Sequence, residues 1–195
     1  MTDIILASGS VSRRAILEGA GIPFSVVRPE LDEDALKPQF ADRTPAELAL
    51  ALAEAKALSL SVPGSIVIGA DQVMEFDGRP YDKPKSREEL TERLKQMRAL
   101  PHHLRGGVVM VRDGKILASI QESSTLTMRA LTVREIDDYV DALSDDIAMG
   151  TVGGYALEGL GSRLFDSIEG DFFAILGLPL FPVLRVLRND GVIPW

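Results

Sequence analysis

Residues 107–129 read GVVMVRDGKILASIQESSTLTMR. Two apolar runs, Gly107 to Val111 and Lys115 to Ile120, flank the turn pair Asp113-Gly114, and the Thr-rich stretch Ser123 to Arg129 follows. This pattern predicts a strand, a tight turn, a second strand and a third strand, all antiparallel. A capping box stands on each side of the run. Ser86-Arg87-Glu88-Glu89 opens a charged helix to about Leu100, and Thr132-Val133-Arg134-Glu135 opens one that ends near Leu143. Upstream, strands and helices alternate instead. Asp3 to Ala7 is a buried strand, and the helix after it carries Ile16 and Leu17 and stops at Gly19 or Gly21. Phe24 to Val27 is a second strand. Thr44-Pro45-Ala46-Glu47 starts a helix to about Leu60, and Ser65 to Ala70 is a strand ending at Asp71. Val73 to Phe76 with Asp77-Gly78 predicts a hairpin. Downstream lie a Gly-rich region from Gly150 to Gly161, a strand from Arg163 to Ile168, a turn at Gly170-Asp171 and a last helix from Pro179 to about Gly191. The class is α/β, a mixed parallel and antiparallel sheet with flanking helices. The antiparallel run between two helices predicts two lobes around a cleft. No repeat or linker divides residues 1–195, so one domain is expected.

The 195 residues are 46% apolar and 26% charged, ordinary values that exclude a disordered or collagen-like chain. A formal charge of −8 argues against coating a nucleic acid polymer, yet leaves room for a small anion met by a few local cations. The absence of cysteine removes disulfides, thiolate catalysis and Cys-based metal sites, and fits a cytoplasmic protein. The N-terminus has an early acid and no basic leader, so no signal peptide is expected. The most apolar stretch, Phe172 to Leu184, is broken by Gly177, Pro179 and Pro182. It is also shorter than the ~20 residues of a membrane span, so no membrane partner is expected.

No dinucleotide-binding, P-loop or nucleophile-elbow pattern occurs. His102 and His103 are adjacent, and neighbours usually point apart, so they read as loop or core-edge residues. Four segments carry more. Ser8-Gly9-Ser10-Val11-Ser12-Arg13-Arg14 stands between a strand and a helix start. Backbone N–H groups and two arginines there suit an anion, though a plain cap with solvated arginines has the same sequence. Asp71 follows an apolar strand, either as a ligand-facing acid at its carboxyl end or as an ordinary turn residue. Asp32-Glu33-Asp34 is an acidic loop. If Glu33 and Asp71 converge, they form a hard oxygen site for Mg²⁺ or Mn²⁺. In Asp82-Lys83-Pro84 the proline stiffens the chain beside the cation. Lys56 lies on an Ala-rich helix, as a phosphate contact or as a snorkelling surface lysine.

These segments, in this order, resemble the Maf family of nucleoside triphosphate pyrophosphatases. The family's L-A-S-x-S-P-x-R-R corresponds to Leu6-Ala7-Ser8-Gly9-Ser10-Val11-Ser12-Arg13-Arg14, and its G-[AS]-D-[TQ]-V to Gly69-Ala70-Asp71-Gln72-Val73. Its K-P is Lys83-Pro84. Its A-G-x-[YF]-x-x-[QE]-G is Val152 to Gly159, and its G-D-x-x-x-[VL]-x-G-L-P runs from Gly170-Asp171 to Gly177-Leu178-Pro179. Departures are Val11 for the usual proline, Thr151 for a common lysine, and Met97 to His102 for L-S-G-x-x-H.

The resemblance implies a cytoplasmic, often homodimeric enzyme related in fold to the inosine triphosphate pyrophosphatases. It implies cleavage of a nucleoside triphosphate to monophosphate and pyrophosphate with Mg²⁺ or Mn²⁺. Asp71 matches the family's proton acceptor, with general base and metal ligand both open as its role. Glu33 matches the acid near the metal, and Ser8, Ser10, Arg13, Arg14, Lys56 and Lys83 fall in the phosphate-binding segments. Ser12, Gln72 and Glu158 match positions tied to substrate choice. Gln72, Glu158 and the extra residue before Arg13-Arg14 are closer to the branch acting on 7-methyl-GTP than to the dTTP/UTP branch, whereas Ser12 stands where some 7-methyl-GTP members carry an aromatic residue. The rival reading is a non-catalytic nucleotide-binding regulator of cell division.

Overall fold

In the computed structural model, which describes residues 2–60 and 62–194, the strands are β1 (Ile4–Ala7), β2 (Ser25–Val26), β3 (Ile66–Phe76), β4 (Arg79–Tyr81), β5 (Pro101–Arg112), β6 (Lys115–Met128) and β7 (Phe165–Glu169). The helices are α1 (Val11–Gly19), α2 (Glu33–Leu36), α3 (Pro45–Leu58), α4 (Arg87–Met97), α5 (Val133–Ala142), α6 (Asp145–Ala148), α7 (Phe172–Ile175) and α8 (Leu180–Asn189). The strands hydrogen-bond in the order β2-β1-β3-β5-β6-β7, with β4 on β3. β1 pairs in parallel with β2 and β3, whereas β4 on β3 and β7 on β6 are antiparallel. This is the mixed sheet with flanking helices that the sequence predicts. The chain divides into two compact units. The first holds residues up to Gln72, Arg105–Glu122 and the chain from Asp171 onward, and the second holds Val73–Leu104 and Ser123–Gly170.

In the first unit, the two-residue period of the strands sorts side chains onto two faces. Ile4, Leu6, Ile66, Ile68 and Ala70 pack with Val108 and Met110 against Ile16 and Leu17 of α1 and Leu180, Val183 and Leu187 of α8. Ile5, Ala7, Val67, Val109 and Val111 pack instead on Ala53 and Ala57 of α3. That helix starts at a complete capping box, Thr44 with Glu47. It lies very close to the sheet. A Cβ on Gly69 would stand 2.1 Å from the Ala53 carbonyl oxygen, and one on Gly107 would stand 2.7 Å from the backbone of Ala49 and Leu50. Only glycine opposite an alanine-rich helix permits this approach.

In the second unit, α4 buries Leu90, Arg93, Leu94 and Met97, and α5 buries Ile136, Tyr139 and Val140 behind its own capping box, Thr132 with Glu135. Arg87 of α4 holds Asp145 at the start of α6 at 2.7 Å. His102 on β5 is fully buried against the rings of Tyr155 and Phe165, each with a centroid 5.7 Å away. Its neighbour His103 faces the other way and meets the Thr125 hydroxyl at 3.0 Å.

The expected turns form: Asp77-Gly78 and Asp113-Gly114 all take positive φ. The structure departs from the sequence reading in several places. β5 begins at Pro101 rather than Gly107, so His102 is a fully buried strand residue and not a loop or core-edge one, and the short helix α6 was not expected. β3 does not end at Ala70 but runs through Asp71 to Phe76. β6 is one strand from Lys115 to Met128, where two were expected, because Gln121 and Glu122 continue the alternation as polar residues. Asp32 caps a one-turn helix, α2, in place of the expected acidic loop, and only the backbone of Asp34 is described. Asp171 caps another short helix, α7, by accepting the Ala174 N–H. Among the described residues, no helix is long and apolar enough to cross a membrane.

Candidate functional site

The first unit collects most of the candidate residues. Asp71 continues the odd-numbered face of β3 that Val67 and Gly69 present to α3. Lys56 lies three residues after Ala53 on that helix, and so on the same side. Close packing at Gly69 brings the two together: Lys56 Nζ is 2.6 Å from Asp71 Oδ1. The same ammonium is 3.0 Å from Glu33 Oε1 at the start of α2. Lys56 is therefore no snorkelling lysine. It is 8% exposed and bridges two carboxylates.

Arg13 is held inward from the first turn of α1. Its Nε donates to the Gly177 carbonyl at 2.9 Å and a terminal nitrogen donates to Ser8 Oγ at 3.1 Å. Ser8 Oγ also accepts the Ser10 N–H, and Ser10 Oγ caps the helix by accepting the Arg13 N–H. Ser12 Oγ lies 3.1 Å from Ser10 Oγ. Desolvation lowers the Arg13 pKa, opposed by attraction from Asp71 and Glu33, so this guanidinium lies in the field of both carboxylates. Arg14 projects elsewhere. It is exposed and paired with Glu18 at 2.7 Å along the helix surface.

Burial pushes the Asp71 carboxyl above the ordinary aspartate range, and Lys56 and then Arg13 pull against it. The outcome is a carboxylate more basic than one in water.

Gln72, the next residue, turns to the other face of β3. Its amide nitrogen donates to the carbonyls of Ala174 and Ile175 at 2.9 and 3.2 Å. Two acceptors fix the amide orientation, so its oxygen is the group left for a ligand. Lys83 and Glu158 belong to the second unit, and both are exposed, while Pro84 is buried.

Glu33 and Asp71 direct oxygens at one shared cation. Mg²⁺ is commonly held by one or two carboxylates plus phosphate and water, so this pair fits a hard divalent ion. Among the described residues, no group of three or more His, Cys, Asp or Glu forms a fuller set. The feature that the sequence hid is the bridging role of Lys56. Its signal was the lysine at helical spacing from Ala53, but only tertiary packing names its partners.

Residues 3–190 match the family model described as Maf-like protein. A nucleoside triphosphate pyrophosphatase of Maricaulis maris is 44% identical over 195 residues, covering 99% of both chains. Proteins of the same name from Caulobacter vibrioides and Rhodopseudomonas palustris are 43% and 41% identical, each covering at least 95% of both chains. A solved HAM1 protein from Coxiella burnetii superposes on 67% of this chain and 75% of its own at a TM-score of 0.42 and 14% identity.

Proposed function

Because the chain belongs to the Maf-like protein family, we propose that it hydrolyses a nucleoside triphosphate to the monophosphate and pyrophosphate. Full-length relatives bearing the name nucleoside triphosphate pyrophosphatase support the overall activity. The observation that carries the reading at residue level is the buried Lys56–Asp71 pair, joined by the half-exposed Glu33, in the field of Arg13.

Asp71 accepts the proton of the attacking water, and its upward-shifted carboxyl makes it a stronger base than an ordinary aspartate. Water adds to the α-phosphorus and pyrophosphate leaves. Lys56 holds both carboxylates in place and keeps an N–H for a phosphate oxygen. Arg13, positioned by Ser8 and Gly177, turns its remaining N–H groups to the phosphates, aided by the hydroxyls of Ser8 and Ser10. Arg14 exchanges Glu18 for phosphate, and Lys83 supplies a further phosphate contact. Glu33 and Asp71 would hold Mg²⁺ or Mn²⁺, which when bound neutralises phosphate charge.

Ser12, Gln72 and Glu158 select the base. Gln72 offers an acceptor, which suits a base edge bearing N–H donors, as in a guanine related to 7-methyl-GTP. The family match runs through both units, which supports reading residues 1–195 as one functional domain. A cytoplasmic homodimer completes the proposal.

Pyrophosphate release from 7-methyl-GTP, dTTP, UTP and the standard ribonucleotides, with Mg²⁺ or Mn²⁺, tests it. Asp71→Asn should lower kcat about 10³-fold, in the range of a lost general base, while the protein stays folded. Near-normal turnover in that variant would remove Asp71 from the chemistry. Equal rates on every base would remove the 7-methyl-GTP preference.

A further inference from the structure

Leu90, Leu94 and Met97 form the buried stripe of α4, and Arg93 stands in that stripe at 6% exposure. A cation among apolar neighbours is costly unless its donors are used. Here they are. One terminal nitrogen donates both to the Asp82 carbonyl at 2.6 Å and to the Val152 carbonyl at 2.8 Å. The other terminal nitrogen meets Glu89 Oε1 at 2.9 Å, and Cζ lies 5.0 Å from the Tyr81 ring centroid. The guanidinium thus ties together two loops remote in sequence. Asp82 directly precedes Lys83, and Val152 opens the segment that ends in Glu158.

The second loop is anchored further. Gly154 takes φ +65°, and a Cβ there would stand 2.1 Å from Leu90 Cδ1. Its carbonyl accepts the Tyr139 hydroxyl at 3.0 Å, and the Tyr155 hydroxyl meets His102 Nε2 at 2.6 Å. These anchors bind the loop to α5 and β5. Arg93 joins it to the Lys83 loop.

We propose that Arg93 is a positioning residue for substrate selection: it fixes the Lys83 loop relative to the Glu158 loop, and so a phosphate contact relative to a base contact. This rests on the reading of Lys83 and Glu158 as substrate contacts. One terminal nitrogen gives its two in-plane hydrogens to the two carbonyls while the other is pinned by Glu89, a fixed planar geometry that a freely rotating ammonium does not hold. Methionine continues the apolar stripe, so Arg93→Met removes the fork while keeping a side chain that packs.

The test combines kinetics with amide hydrogen exchange on the full chain. Arg93→Met should raise KM for the preferred triphosphate about tenfold with kcat within about twofold, as expected when positioning is lost and chemistry kept. Exchange should accelerate about tenfold at residues 82–85 and 152–158, while α4 stays protected. Combined with Lys83→Ala, the KM effect should not exceed that of the larger single variant, because both act through one contact. Unchanged exchange at the two segments, or KM effects that multiply, overturns the proposal. If Arg93→Met does not fold, Arg93→Lys, which keeps a cation beside Glu89, is read by the same criteria. If Lys83→Ala and Glu158→Ala leave KM and base preference unaltered, the underlying reading fails. In that case the proposed role in selection falls with it, whatever the exchange data say of the clamp.

Discussion

Lys56 and Arg93 are both buried cations on helices, and they are satisfied in opposite ways. Lys56 meets two carboxylates, Glu33 and Asp71. Arg93 meets two backbone carbonyls and one carboxylate. The first arrangement concentrates titratable charge in a place where water is scarce, which is what proton transfer and phosphate binding use. The second spends a charge on fixed geometry and leaves little to titrate. The partners distinguish the two buried cations, and under the proposed function the first marks chemistry and the second scaffolding.

Removing each cation should separate these roles. Lys56→Met leaves Arg13 alone to offset the buried Asp71 and should cost about 3 kcal/mol at neutral pH. Without its cation, Asp71 is raised further in the folded chain. The loss is then full above that raised folded pKa and fades as pH falls toward the unfolded value. Arg93→Met should cost about 2 kcal/mol, with less pH dependence, because two of its three partners are carbonyls, which do not titrate, and the third, Glu89, is solvent-exposed. Urea unfolding at pH 7 and pH 5 compares them. A pH-independent loss in Lys56→Met would contradict the charge argument.

The Lys56 cluster also depends on how closely α3 approaches the sheet. Gly69→Ala forces a Cβ into the Ala53 carbonyl, so the helix must move and Lys56 must leave Asp71. The expected cost is about 3 kcal/mol, with activity lost in parallel. Gly19→Ala has nothing within 4 Å and serves as the neutral comparison. Equal stability of the two variants would show that α3 is not held by this contact.

The second unit has its own titratable group in His102, whose pKa is lowered to about 4 by burial and then by His103. The unfolded chain protonates first, near the ordinary value of about 6.5. The neutral ring therefore favours folding above that pH, and its contribution is lost as pH falls from about 6.5 to about 4. The drop should reach about 2–3 kcal/mol at the lower end. His102→Gln should flatten the acid limb of the stability profile over this window. An unchanged limb would assign acid sensitivity to other groups.

Much of this was legible in the sequence for physical reasons that are local. Three Ser or Thr caps with Glu three residues on marked α3, α4 and α5, and Asp-Gly pairs marked two turns. In α4 the box is incomplete, since Glu89 accepts the Lys85 N–H and pairs with Arg93. What failed was the handling of polar residues inside elements. Asp71 looked like a strand end because its partner, Lys56, is 15 residues away. Gln121 and Glu122 looked like a break because an exposed face tolerates polarity. Arg93 drew no notice in a charged helix, since only the tertiary structure shows which of its charges turns inward. Resemblance supplied the candidate list, but it could not say that Arg14 pairs with Glu18 while Arg13 turns toward the carboxylates.

The smallest expected effect addresses whether the two units are also two folding units. Each has one complete capping box, at Thr44 and at Thr132. Thr44→Ala and Thr132→Ala should each lower Tm by about 3 °C, the usual loss of one cap in a chain of this size. Strands β3, β5 and β6 each carry residues of both units. Calorimetry should therefore show one transition, shifted alike by either variant. Two transitions, each moved by only one of the variants, would mean that the shared strands do not couple the units. The buried charge of Lys56 and the clamp of Arg93 would then have to be stabilised independently.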